Sequence, residues 1–156
     1  MLLSSFIHKR QRHETDCLVA CAEMLLNYLG ITIPELRLRK FLRAGINFTP
    51  FSNLSHLQQL ALSVRLGEQA AAAMFEDHLL SGLPVIVAVK TVGWNHWGDI
   101  VTEHAVVVVG IDRPNDKIFI HDPYFADSPI EMSLLAFEIG WQEKDRQYAV
   151  IGLAAL

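Results

Sequence analysis

The chain has 156 residues, 51% of them hydrophobic and 19% charged, which suits one soluble globular domain over residues 1–156 with a substantial core. Its net charge of −4 shows no basic excess and argues against nucleic acid as a partner. No apolar run approaches the roughly 18–20 residues of a spanning helix. The start, MLLSSFIHKRQRHE, puts apolar residues before basic ones and has no signal-peptide h-region, so a cytoplasmic chain without a membrane span is expected.

The first predicted helix begins at Asp16 or Cys17 and ends at Gly30, with Thr15 or Asp16 as N-cap. Ala20, Met24 and Tyr28, flanked by Cys21 and Leu25, repeat at the helical period and give a wide buried face. A second helix runs from Pro34 to about Arg43 and closes at Gly45; Arg37, Arg39, Lys40 and Arg43 form its solvated side. A third fits SNLSHLQQLALSVRLG, capped by Ser52 and stopped by Gly67, and a fourth fits AAAMFEDHLLSG, stopped by Gly82.

The period then changes. LPVIVAV, EHAVVVVGID and KIFIHD read as buried strands, and Arg113-Pro114-Asn115-Asp116 turns the last two into a hairpin. Between the first two lies TVGWNHWGDIVT, a long loop whose Trp94 and Trp97, with nearby glycines, suit a wall or lid over a peptide cleft. SLLAFEIGW is a short helix and QYAVIGLAAL a final strand. Helices first and an antiparallel sheet afterwards define an α+β fold.

Two cysteines four residues apart on one helix hold their Cα atoms about 6 Å apart, a poor geometry for a disulfide. Cys21 reads as core. Cys17 occupies the first helical turn, where unpaired N–H groups favour an anion, although Asp16 beside it opposes this by like charge. A base is needed, and His104 opens an otherwise apolar strand. Asp122 ends the next strand just before Pro123, near the same end of the hairpin. With a turn centred on Asn115 and Asp116, the residue opposite Asp122 falls near Ile111 or Val109, so direct pairing with His104 requires an asymmetric or bulged hairpin. Cys, His and Asp together suit thiol acyl transfer, with Gln11 placed to offer an oxyanion donor beside the Cys17 backbone N–H. His96, His121, Asp99 and His104 lack short ligand spacings, and His121 points to the opposite sheet face from Asp122. Neither a metal nor another cofactor is expected.

The order of these segments, QRHETDCLVACAEMLLNYLG, then SGLPVIVAV, then EHAVVVVGIDRPNDKIFIHDP, resembles the bacteriocin-processing, double-glycine-leader cysteine peptidases, a papain-like group. The spacing of Phe137 and Trp141 is similar to that group's C-terminal segment. The resemblance implies a papain-like α+β fold with Cys17 as nucleophile, His104 as base, Asp122 as the residue orienting it and Gln11 as oxyanion donor. It implies a peptide or protein substrate, with leader processing as one form. Two departures stand out. Leu18 follows the nucleophile where leader-cleaving members usually carry Gly, so its side chain narrows or reshapes the substrate site. The chain also lacks the spanning helices and P-loop of the exporters to which such domains are commonly joined. Two rival readings keep the same fold: a peptide-holding module without catalysis, and a relative that passes its acyl group to an amine.

Overall fold

The computed structural model describes residues 1–154; the last two residues of the expected final strand lie outside them. Its helices are α1 (Cys17–Tyr28), α2 (Glu35–Leu42), α3 (Ala73–Leu80) and α4 (Leu134–Gln142). Its strands are β1 (Leu62–Gly67), β2 (Val85–Lys90), β3 (Glu103–Asp112), β4 (Lys117–His121), β5 (Ile130–Ser133) and β6 (Tyr148–Leu153). The strands form one antiparallel sheet in the order β1-β6-β2-β3-β4-β5. The expected α+β architecture is therefore present. Among the described residues, no helix is long and apolar enough to cross a membrane.

The unbroken apolar run of β3 follows from burial on both faces. Its Ala105, Val107 and Val109 join Cys21, Met24 and Leu25 of α1 in one core, while Val106 and Val108 join Phe75, Phe137 and Trp141 in a second. Side chains alternate across a strand, so one run of valines anchors helices on either side. Where the two layers end, at His104, the apolar pattern stops.

Three local expectations are corrected. The predicted third helix is a 3₁₀ helix over Phe51–Leu60, after which Ala61 adopts φ 58° and the chain becomes β1. Pairing of Leu62–Gly67 with β6 overrides the helical reading of LSVRLG. Helix α2 closes on Arg43, at φ 53°, rather than on Gly45. The β3–β4 turn is centred earlier than expected, because Asp112 pairs with Lys117. A bulge between Val108 and Gly110 then shifts the register, so that His121 faces Val107. Both effects carry Asp122 toward the His104 end. Strand β5 has no counterpart in the sequence reading.

Gly140 of α4 lets the loop after β2 approach closely. A Cβ there would run into the Lys90 carbonyl oxygen and lie 2.8 Å from Trp94 Nε1. Trp94 is fully buried, stacks on Phe137 and donates its Nε1–H to the Ala136 carbonyl. Gly140→Ala is expected to lower stability by about 1–3 kcal/mol, the usual cost of overpacking, and a urea titration showing no change would contradict this contact.

Candidate active site

Helix α1 presents Cys17 at its first turn, where the backbone N–H has no intrahelical acceptor. Asp16 stands at the N-cap position but does not cap. Its Oδ1 accepts from Arg39 at 2.6 Å, which ties α2 to the start of α1 and offsets the carboxylate charge beside the thiol. The remaining oxygen, Oδ2, is buried without a hydrogen-bond partner.

His104 and Asp122 meet at the end of the hairpin. His104 Nε2 donates to Asp122 Oδ1 at 2.6 Å, and both residues are buried, Asp122 completely. Cys17 lines the same cavity as His104, and its sulfur acts on the charge of the ring. Burial pulls the imidazole pKa down, but the bond to Asp122 and the influence of Cys17 prevail and raise it to about 9. At Asp122, burial favours the neutral acid. Hydrogen bonds from His104, His96 and Trp97 overcome it and hold the carboxyl well below its usual range.

Asp122 thus stays ionised and acts only as an acceptor. Four donors surround it: His104 Nε2 at 2.6 Å and the Tyr124 N–H at 3.1 Å on Oδ1, His96 Nε2 and Trp97 Nε1, each at 2.9 Å, on Oδ2. Sequence reasoning missed His96 and Trp97 in this role. The one available signal was the clustering of both in WNHW, just upstream of β3. Trp97 also sets its ring edge-on to His104, with centroids 5.0 Å apart, and so shields the His104–Asp122 bond from water.

A cavity of about 200 Å³ opens beside Cys17 and His104, walled by Leu18, Phe48, Pro50 and Phe51, with the Glu103–Lys144 ion pair also lining it. Leu18 is on the cavity wall. Trp94 and Trp97 are not: Trp94 lies in the core and Trp97 behind the His104–Asp122 pair. Gln11 lies outside this cavity. Its backbone N–H donates to the Pro123 carbonyl at 2.7 Å, next to Asp122. Its side-chain Nε2 donates to the carbonyls of His13 at 2.8 Å and Glu14 at 3.1 Å, and its Oε1 is buried without a partner. Cys21 is wholly buried, and its thiol donates to the Ala105 carbonyl; burial pushes its pKa well up. His121 turns away from Asp122, setting its ring edge against Phe6 and lying 3.0 Å from His8 between their Nδ1 atoms; burial and His8 lower its pKa to about 4.

The model of the Peptidase C39 family matches residues 5–145. Among solved structures, one similar chain is a C39-like peptidase from Bacillus anthracis, with 19% identity, 96% of each chain covered and a TM-score of 0.74. The peptidase domain of Streptococcus ComA, a bifunctional ABC transporter of a quorum-sensing pathway, gives 21% identity, 97% and 99% coverage and a TM-score of 0.73. The double-glycine-motif protease of an AMS/PCAT transporter, solved in complex with its leader peptide, gives 16% identity, 93% and 89% coverage and a TM-score of 0.67. No curated protein matches the chain.

Proposed function

From a chain that belongs to the Peptidase C39 family, and so to the cysteine peptidases, we propose a hydrolase that cleaves a peptide bond through Cys17, His104 and Asp122. The observation that carries this reading is the buried His104–Asp122 bond, on the wall of a cavity that the same histidine shares with a thiol at a helix N-terminus.

Cys17 gives its proton to His104 Nδ1, and its sulfur attacks the substrate carbonyl carbon. Asp122, bonded at Nε2, fixes the tautomer that leaves Nδ1 free for this and stabilises the imidazolium that results. The oxyanion forms beside the Cys17 backbone N–H. Gln11 would supply a second N–H only by turning its amide, now donated to the carbonyls of His13 and Glu14, toward the Cys17 sulfur. Collapse breaks the C–N bond, the departing amine takes the proton from His104, and the acyl group stays on sulfur as a thioester. Water then attacks the thioester and passes one proton to His104; the thiol leaves with that proton, and the carboxylic acid product loses its own proton to solvent.

The substrate is a peptide with small residues next to the scissile bond. The small cavity, about 200 Å³ and lined by Leu18 and Phe51, supports this choice, as does the leader peptide bound to the structurally similar transporter protease. The test is a proteome-derived peptide library digested with wild type and Cys17→Ala and read by mass spectrometry. Cleavage after small residues by wild type alone is expected. Products appearing equally with both proteins would refute the reading, and capture of peptides without cleavage by either would favour the peptide-holding module.

A further inference from the structure

We propose that His96 is a positioning residue for the active site, acting through Asp122 as a second histidine on the same carboxylate. This role rests on the reading of Cys17, His104 and Asp122 given above.

Asp122 is fully buried and ionised, and a carboxylate can rotate about its Cβ–Cγ bond. The two oxygens have different tasks. Oδ1 must face His104 so that Nδ1 of that ring remains free toward Cys17. A rotated carboxylate would offer His104 a longer or misdirected acceptor and leave the ring's tautomer open. His96 Nε2 donates to Oδ2 at 2.9 Å, and Trp97 Nε1 donates to the same oxygen at the same distance. Two donors on Oδ2 leave Oδ1 for His104 and the Tyr124 N–H, so that each oxygen is matched to a fixed pair.

His96 is itself held rather than swinging freely. Its ring lies against Trp94, with centroids 5.7 Å apart at 33°, and edge-on to Phe125 at 5.1 Å. Residues Asn95–Trp97 form a single 3₁₀ turn that closes on Gly98, and Trp94 at its foot is locked into the core. Of the groups on Asp122, His96 is the more open histidine, with its side chain 17% exposed against 3% for His104. It can therefore be replaced with little effect on the core, whereas Trp97 cannot.

The experiment is the rate at which iodoacetamide alkylates Cys17 in the full chain at pH 6, assigned to Cys17 rather than Cys21 by peptide fragmentation. Wild type, His104→Ala, His96→Ala and His96→Gln are compared, with thermal melts alongside. His96→Ala is expected to slow alkylation about tenfold, the effect of losing one charge-assisted hydrogen bond. His96→Gln, whose amide nitrogen reaches the place of Nε2, is expected to restore the rate to within about threefold. A structural role alone would not be rescued this way, and the Gln variant carries the test if the Ala variant melts early. An unaffected His96→Ala, or a His96→Gln as slow as the alanine variant, overturns the proposal while leaving the active-site reading in place. A wild type no faster than His104→Ala overturns both.

Discussion

His104→Ala slows the alkylation of Cys17 at pH 6 by about two orders of magnitude. The expectation follows from the raised imidazole pKa, about 9, set by Asp122 and Cys17 against the opposing effect of burial. At pH 6 that ring carries its proton and sets a positive charge beside the sulfur, and thiolates are the species that alkylate. An ordinary thiol with a pKa of about 8.5 is thiolate only to a few parts per thousand at pH 6, which sets the size of the loss. The sign with pH is fixed by the direction of the shift. A histidine raised from 6.5 to about 9 holds its ion-pair advantage fully below about pH 6.5 and loses it as pH rises through 9. Wild type and variant should therefore converge in rate above pH 9. A constant ratio from pH 6 to pH 10 would show that His104 does not act on the thiol by charge.

The second large effect belongs to Asp122. Replacing it with Ala removes the acceptor from four donors in a fully buried place. Breaking a buried, hydrogen-bonded charge pair by deleting one partner costs about 3–5 kcal/mol, and a urea titration at pH 7 measures it. Asp122→Asn keeps the shape and one acceptor oxygen, so it should cost less stability. Its amide N–H groups, however, face donors, which allows His104 to turn. Activity should then fall by a larger factor than the loss of folded protein explains. A stability loss under about 1 kcal/mol for Asp122→Ala would mean that the four bonds are not made in solution. The lowered carboxyl pKa also gives a direction. Its stabilising contribution is complete above the ordinary carboxylate range and is lost as pH falls below it.

Much of this was legible in the sequence because polar residues interrupt long apolar patterns at the site. His104 is conspicuous at the head of a valine strand, Asp122 at the end of another, and Cys17 at the first turn of a strongly periodic helix. What escaped has physical reasons. His96 and Trp97 sit in a loop without a period, and only the folded path of that loop brings them to Asp122. Indeed, His96 and His104, whose spacing does not suit a metal, converge on a carboxylate. Strand β1 was hidden because Ala61, rather than a glycine, takes the left-handed turn that ends the 3₁₀ helix. The hairpin register was misplaced because a bulge leaves no mark in an unbroken run of valines. The paths of the two tryptophans were missed for a related reason: an aromatic loop reads alike whether its rings face a cleft or the core.

The distance along the chain between Cys17 and Asp122, about a hundred residues, also has a meaning in time. Synthesis at roughly 5–20 residues per second brings the α1 cysteine out roughly 5–20 s before the carboxylate that must steady its partner. During that interval the nascent segment carries a thiol at the start of a helix, with neither His104 nor Asp122 yet present to draw off its proton. On the proposed reading, cleavage therefore awaits the emergence of Asp122, more than a hundred residues after the thiol.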